Sequence, residues 1–351
     1  MTSSKKNAMT MSAMTKNAMT KNAMSAGGDG VPGPRVMHKG NDGLWLNFNP
    51  QLRGGARGGS MQHVRGVSGR PARRTGPIGT WEIGGRRCEV RRLEASSGRF
   101  DVAVMNPNGV RPFLLSAQGN LHGGFGYGGL SVHVHAPLID RLGEEEALTS
   151  ARRWANQLML CLPTPRDVIG CERVSRIDYA VDVLVAKGGP DDYGPAVHEQ
   201  LVSRLRHPKA AWDTGWEIGR GDTDPDRLER VITSYDKLQE RRDKGGVAGL
   251  REYVTSLGDP SLGVDDDGRV TLVDDSNGKR EVRVWRVEFR FHRAFLQGKG
   301  ISDADEGVAA LPALVAAACQ TTRLNKRCST GNVFPTSPMT PLWNSVRQTV
   351  M

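Results

Sequence analysis

Long apolar runs are missing from this chain of 351 residues. Nowhere do about 18 apolar residues follow one another, so nothing reads as a membrane-crossing helix and no membrane partner is expected. The N-terminus also lacks the apolar core of a secretory signal. Cysteine is scarce: Cys88, Cys161, Cys171, Cys319 and Cys328 are odd in number and scattered. That pattern argues against a disulfide framework and against paired zinc ligands, and fits reduced thiols in the cytoplasm of a bacterial host. Acidic residues are nearly absent from the first quarter. Residues 1–80 hold twelve Lys and Arg against two Asp, which accounts for the whole net charge of +10.

The same quarter is poor in large apolar side chains, too poor to offset the entropy of ordering. Lys6-Asn7-Ala8-Met9-Thr10 recurs at residues 16–20 and, with a final Ser, at 21–25. A five-residue period suits neither a solenoid nor a coiled coil. Arg53-Gly54-Gly55-Ala56-Arg57-Gly58-Gly59 has the composition of segments that hold nucleic acid through phosphate contacts and stacking, and equally that of a flexible soluble tail. Internal methionines leave open a start at Met37 or Met61. Composition therefore divides the chain into a disordered basic arm over 1–78 and a folded domain over 79–351.

From Gly79 the pattern becomes that of strands: Trp81–Ile83, Cys88–Leu93, Phe100–Met105, Arg111–Leu115 and Leu130–His135, parted by Gly, Ser, Asn and Pro turns. Helical spacing covers Glu144–Leu162, with acids early and prolines after. A second helix is expected over Gly194–Arg206, a strand pair over Gly215–Gly219 and Leu228–Lys237, and a surface hairpin over Gly258–Lys279. Ile301–Cys319 reads as helical around Pro312. The order implies an α+β protein, a largely antiparallel central sheet flanked by helices.

Three strands carry charge inside apolar runs. Side chains alternate across a strand, so Arg176, Asp178 and Asp182 share one face while Ile177, Tyr179, Val181 and Val183 form the other. About a hundred residues later Arg286, Glu288, Arg290 and His292 alternate with Trp285, Val287, Phe289 and Phe291. Between them Thr233, Tyr235 and Lys237 lie on one face, and a helical turn starting nearby would bring Glu240 back towards them. Each segment alone fits a wet, salt-bridged sheet face, and surface ion pairs mean little. Together they place a tyrosine, a lysine and several acids on one surface. Asp178, Asp182, Glu240 and Glu288 could hold an oxygen-liganded divalent ion, Mg²⁺ or Mn²⁺. A phenol with a pKa near 10 needs such an ion and a cation beside it to attack a phosphodiester; Lys237 is that cation, and Arg176 and Arg290 would steady the phosphate.

At these residues the chain resembles the replication initiation factors of rolling-circle plasmids and some phages. The pattern of that family looks like Arg176 to Asp182, Gly219-Arg220, Val231 to Glu240 and Arg286-Val287-Glu288, in that order. Thr214 to Arg220 is similar to the strand before the family's tyrosine, and Pro338 to Arg347 to its proline-tryptophan ending. The resemblance implies a nickase fold with Tyr235 as nucleophile and Lys237 and Arg176 as its helpers. It implies Asp178, Glu240 and Glu288 as metal ligands with Asp182 as a further one, and Arg220, Arg230, Arg286 and Arg290 as DNA contacts. Its partners would be an origin hairpin, a host helicase and polymerase, and a second copy in a homodimer. Thr233-Ser234 stand where the family has an Arg-hydrophobic pair, so the cation before the tyrosine would come from Arg230 or Arg220. The family's apolar first strand is reduced to Leu44–Phe48.

His133-Val134-His135 puts two imidazoles on one face and is a rival metal site, although a structural or DNA-facing role fits it better. Two other classes remain beside the nickase: an origin-binding regulator that cuts nothing, and an RNA-binding protein acting through the arm.

Overall fold

The computed structural model describes residues 33–48, 76–83, 86–92, 99–105, 113–118, 130–160, 172–189, 191–192, 201–203, 208–212, 214–219, 230–273, 278–325 and 336–350. In chain order these form β1 (Arg35–Phe48), β2 (Gly76–Ile83), β3 (Arg86–Arg92), β4 (Arg99–Met105), β5 (Phe113–Gln118), β6 (Leu130–His135), α1 (Ala136–Leu142), α2 (Glu144–Leu160) and β7 (Glu172–Ala186). There follow β8 (Leu201–Ser203), β9 (Pro208–Trp212), β10 (Gly215–Ile218), β11 (Arg230–Asp236), α3 (Lys237–Ser256), β12 (Leu262–Val264), β13 (Val270–Val273) and β14 (Lys279–His292). The chain closes with α4 (Arg293–Gly298), α5 (Ala304–Thr321), β15 (Thr322–Leu324) and α6 (Pro341–Val350).

One antiparallel sheet runs in the order β2-β3-β4-β5-β6-β1-β7-β14-β11-β10-β9, with the β12–β13 hairpin attached to β14. The fold is α+β, as the strand and helix patterns imply. Ile177, Val181, Val183, Trp285, Val287, Phe289 and Phe291 form the apolar face and are fully covered. Leu311, Leu314 and Val315 of α5 and Leu342, Trp343 and Val346 of α6 complete that core. Gly307 lets α5 come close, since a Cβ there would overlap Ile177. On the opposite face, among the described residues, the end holding Leu184, Val282 and Val284 is apolar, and α3 covers it with Leu238, Leu250, Tyr253 and Val254. The rest of that face carries the charged residues.

Two expectations are corrected. Residues 35–48 belong to the sheet and not to an arm: β1 lies between β6 and β7, and β2 already opens at Gly76. The strand at Leu44–Phe48 is where the resemblance puts it, but composition misses β1 because Gly is frequent around it and its apolar alternation is confined to Leu44, Leu46 and Phe48. Those three side chains are buried. At ~1.5–3 kcal/mol each, they contribute as much as the net stability of many domains, ~5–15 kcal/mol. The Arg53–Gly59 segment lies outside the described residues. The second correction concerns Gly194–Arg206, whose described part, β8, is a strand paired with β15. Ser203 and Thr322 share a 2.6 Å hydroxyl hydrogen bond there, so a distant pairing outweighs local helical spacing.

A chain lacking residues 1–75 is expected to lose cooperative unfolding in urea, because its β6 and β7 have no strand between them. A chain starting at Gly33 is the reference. Equal urea midpoints for the two would contradict the central position of β1.

Candidate active site

The polar face is built by register. Asp178 of β7 pairs with Arg290 of β14, and Asp182 with Arg286. Arg286 pairs in turn with Tyr235 of β11, and Glu288 with Thr233. Gly43 and Trp45 of β1 lie beside Asp178 and Arg176. Residues drawn from positions 43 to 290 thus meet on one surface.

Asp178 and Glu288 are both buried, at 1% and 4% exposure, and they touch. Arg176 donates through Nε to Asp178 Oδ1 at 2.7 Å and through Nη2 to Oδ2. Arg290 donates through Nε and Nη2 to the two Glu288 oxygens, each at 2.9 Å. Burial pushes the Asp178 carboxyl well above its ordinary range against the pull of Arg176, with the Glu288 charge adding to the rise. Burial also works upward on Glu288, but hydrogen bonding and charge from Arg290 outweigh it and hold that group down near 2. Two like charges at contact cannot both ionise freely, so the pair favours a proton, with Asp178 pushed up and Glu288 held down, and the two carboxyls share a hydrogen bond.

Asp182 is in a different situation. Its Oδ1 accepts from Arg286 Nε at 2.6 Å and its Oδ2 from Arg286 Nη2 at 2.8 Å and from the Tyr253 hydroxyl at 2.7 Å. Burial would raise its pKa, yet Arg286 holds it below the usual value. The third arm of Arg286, Nη1, donates to Asp42 Oδ1 at 2.6 Å. Asp42 reaches it from a bulge, because the pairing of β1 with β7 jumps from Asn41–Tyr179 to Gly43–Asp178.

Tyr235 lies one residue before Asp236, the last of β11, whose side chain accepts from the backbone N–H of Leu238 at 3.0 Å and Gln239 at 3.1 Å and so starts α3. Lys237 is therefore helical, and its Nζ sits 5.5 Å from the centre of the Tyr235 ring. Burial pushes the Tyr235 phenol well above the usual tyrosine value, Arg286 pulling against it and Glu288, Asp42 and Glu240 adding to the rise. Burial brings Lys237 down to about 8, assisted by Arg286 and Arg241. Glu240 turns back as expected and pairs with Lys237 Nζ at 2.9 Å. Lys244 is its second partner, and the two lysines overcome burial to hold Glu240 near 2.

The four expected metal ligands are thus divided. Asp178 and Glu288 form a pair, Asp182 is engaged by Arg286 and Tyr253, and Glu240 by two lysines. Among the described residues no group of three or more His, Cys, Asp or Glu side chains is arranged to hold one ion. Of the expected DNA contacts, Arg290 is part-exposed on the polar face, as is the expected catalytic helper Arg176, whereas Arg286 is buried in its ion pairs. Arg230 lies on the other face from Tyr235, five positions away along β11, with its guanidinium 5.5 Å over the Phe295 ring. It cannot supply the cation beside the tyrosine. Arg220 lies outside the described residues. His133 stacks on Trp45 with ring centres 3.6 Å apart, and His135 lies 3.8 Å from His133. Burial, with His135 and Arg176 nearby, lowers His133 to about 2, so it stays neutral.

Sequence reasoning missed Asp42, Trp45, Glu217 and Tyr253. Glu217 on β10 accepts from Thr233 at 3.3 Å and from Arg290 at 3.4 Å. Strand alternation could have placed Glu217 beside Thr233, but no local signal marks Tyr253 on its helix or Asp42 in its bulge.

No family model and no curated protein matches the chain. Among solved structures, it is similar to the rolling circle replication initiator protein from Geobacillus stearothermophilus, at 13% identity and a TM-score of 0.36, over 91% of this chain and 96% of that one. It is also similar to the MucA/MucB complex of Pseudomonas aeruginosa, at 10% identity and a TM-score of 0.13, over 66% of this chain and 65% of that one. Neither likeness is close enough to decide what the site does.

The two acids are expected to respond differently to substitution. Arg286→Leu strands Asp182 without its cation and should cost ~3–5 kcal/mol. Asp178→Asn leaves one acceptor for the part-exposed Arg176 in place of two and should cost only about 1–3 kcal/mol. Urea denaturation near neutral pH checks both, and equal losses would overturn this assignment of charge.

Proposed function

We propose that this protein is a DNA strand nickase that initiates rolling-circle replication, with Tyr235 as its nucleophile. The observation that carries the reading is the position of Tyr235 beside a buried lysine, on the same sheet face as the Asp178–Glu288 pair. The order of motifs shared with rolling-circle initiation factors supports it independently. The Tyr235 oxygen attacks the scissile phosphorus, the P–O3′ bond breaks, the departing O3′ takes a proton from water, and the products are a 5′-phosphotyrosine and a free 3′-OH that a host polymerase can extend. A phenol raised by burial needs a base as it attacks. Lys237, brought down to about 8, takes that proton in its free-amine form and stands close to the working pH. Arg176 and Arg290 are part-exposed beside the acids and hold the phosphate oxygens.

Two touching buried carboxylates that share one proton are a donor set suited to a divalent cation, which commonly uses one or two protein carboxylates together with substrate phosphate. Asp178 and Glu288 would hold it, because their cations Arg176 and Arg290 are part-exposed and free to turn to the phosphate, whereas Asp182 is tied to the buried Arg286 and Glu240 to Lys237 and Lys244. When bound, such an ion polarises the phosphate and offsets charge on the leaving oxygen.

Supercoiled DNA from the cognate replicon, incubated with the protein and Mn²⁺ or Mg²⁺, should yield nicked circles with protein on the 5′ end. Tyr235→Phe and a chelator should each abolish them. Binding without nicking under every metal tried would leave an origin-binding regulator in place of the enzyme. The pH dependence follows from Lys237. Below about 8 it is an ammonium with no lone pair, and above it a free amine, so single-turnover nicking should rise with pH and level off past that value. Tyr235 titrates far higher and cannot produce that inflection. Lys237→Arg stays charged and should lack the rise.

A further inference from the structure

The site's arginines are held by a strand that the chemistry above does not use. β1 passes the carboxylate pair on its far side from Tyr235, and its segment from Asp42 to Trp45 touches two different guanidinium groups. Asp42 is the extra residue of the bulge, and its carboxylate accepts from Arg286 Nη1 at 2.6 Å. The other two donors, Nε and Nη2, are taken by Asp182, so all three arms of Arg286 are fixed. With a planar five-donor group, that leaves one orientation across from Tyr235.

Trp45 acts on the second guanidinium. Its indole lies between the His133 ring at 3.6 Å and the Arg176 guanidinium carbon at 4.0 Å. It leans back over Gly43, where a Cβ would come within 2.8 Å of the indole. Arg176 is thereby held between an aromatic face and Asp178, with Glu288 Oε1 3.7 Å from its Nη2. Arg176 is part-exposed, so without the indole its long side chain has freedom to leave the acids.

We propose that Asp42 and Trp45 are positioning residues: Asp42 fixes Arg286 opposite Tyr235, and Trp45, seated over Gly43, fixes Arg176 against the Asp178–Glu288 pair. Neither touches the reacting atoms. The inference deepens the nickase reading and rests on it for its catalytic consequence, but its geometric content stands separately.

The test uses the full chain and reads arginine side chains directly by ¹H–¹⁵N NMR. In the wild type the guanidinium N–H groups of Arg176 and Arg286, the Nη1 protons of Arg286 that face Asp42 included, should give resolved, slowly exchanging signals. Asp42→Asn, nearly isosteric, should speed exchange at Arg286 alone, and Trp45→Leu at Arg176 alone, while Trp45→Phe, which keeps an aromatic face, should retain most of the Arg176 protection. Single-turnover nicking should fall about 10- to 100-fold in Asp42→Asn and Trp45→Leu, the usual effect of losing a partner that orients a site group, and recover in Trp45→Phe. Unchanged exchange at both arginines overturns the proposal whatever nicking does. If the wild type nicks nothing, the nickase reading fails and the exchange data still decide this one. Should Trp45→Leu not fold, Asp42→Asn and Gly43→Ala, which crowds the indole from below, carry the same comparison.

Discussion

The ion pair between Arg286 and Asp182 is the constraint on which the rest of the polar face depends. Both groups are buried, at 5% and 0% exposure, and a buried charge without its partner costs several kcal/mol. The pair sets the register of β14 on β7. A slip of one residue would turn Arg286 into the apolar face and Trp285 out of it, so the pairing specifies as well as stabilises. It also gathers other elements. Tyr253 brings in α3, Asp42 brings in β1, and Tyr235 stands opposite.

From that pair the face changes character in two directions. Towards Leu184 and Val284 it becomes apolar and α3 closes it. Towards Asp178 and Glu288 it stays polar, and two acids sit in contact with arginines at their sides. The first acid pair partner, Asp182, is fully matched and behaves as structure. The second set is matched by part-exposed cations, and its two acids crowd each other as well as face them. A fold does not need that arrangement, and unneeded local cost tends to mark a site. The same distinction separates Arg286 from Arg176 and Arg290, which are near enough to solvent to turn towards a phosphate.

Much of this was legible in the residues. The alternation in β7, β11 and β14 identified the apolar and charged faces correctly, and the turn back of Glu240 towards Lys237 followed from helical spacing. The face occupied by Arg230 was also legible, because an odd separation from Tyr235 puts it on the other side of the strand. Asp178 and Asp182 could not be told apart, being the same residue type on the same face of one strand. Only their neighbours across β14 and α3 distinguish them. Of β1 only Leu44–Phe48 was legible, and only through the resemblance, for another reason: eight of its fourteen residues carry no apolar signal, and its partners lie about ninety and about a hundred and forty positions along the chain.

The sequence by itself determined which side chains share a face, because the two-residue period of a strand is a local property. It determined the class of the fold by the same means. Tertiary structure decided which acid meets which cation, which carboxylates touch, and that a bulge in β1 delivers Asp42 to Arg286. Those outcomes depend on strand order and register, set by the packing of segments far apart in the chain, and no local pattern encodes them.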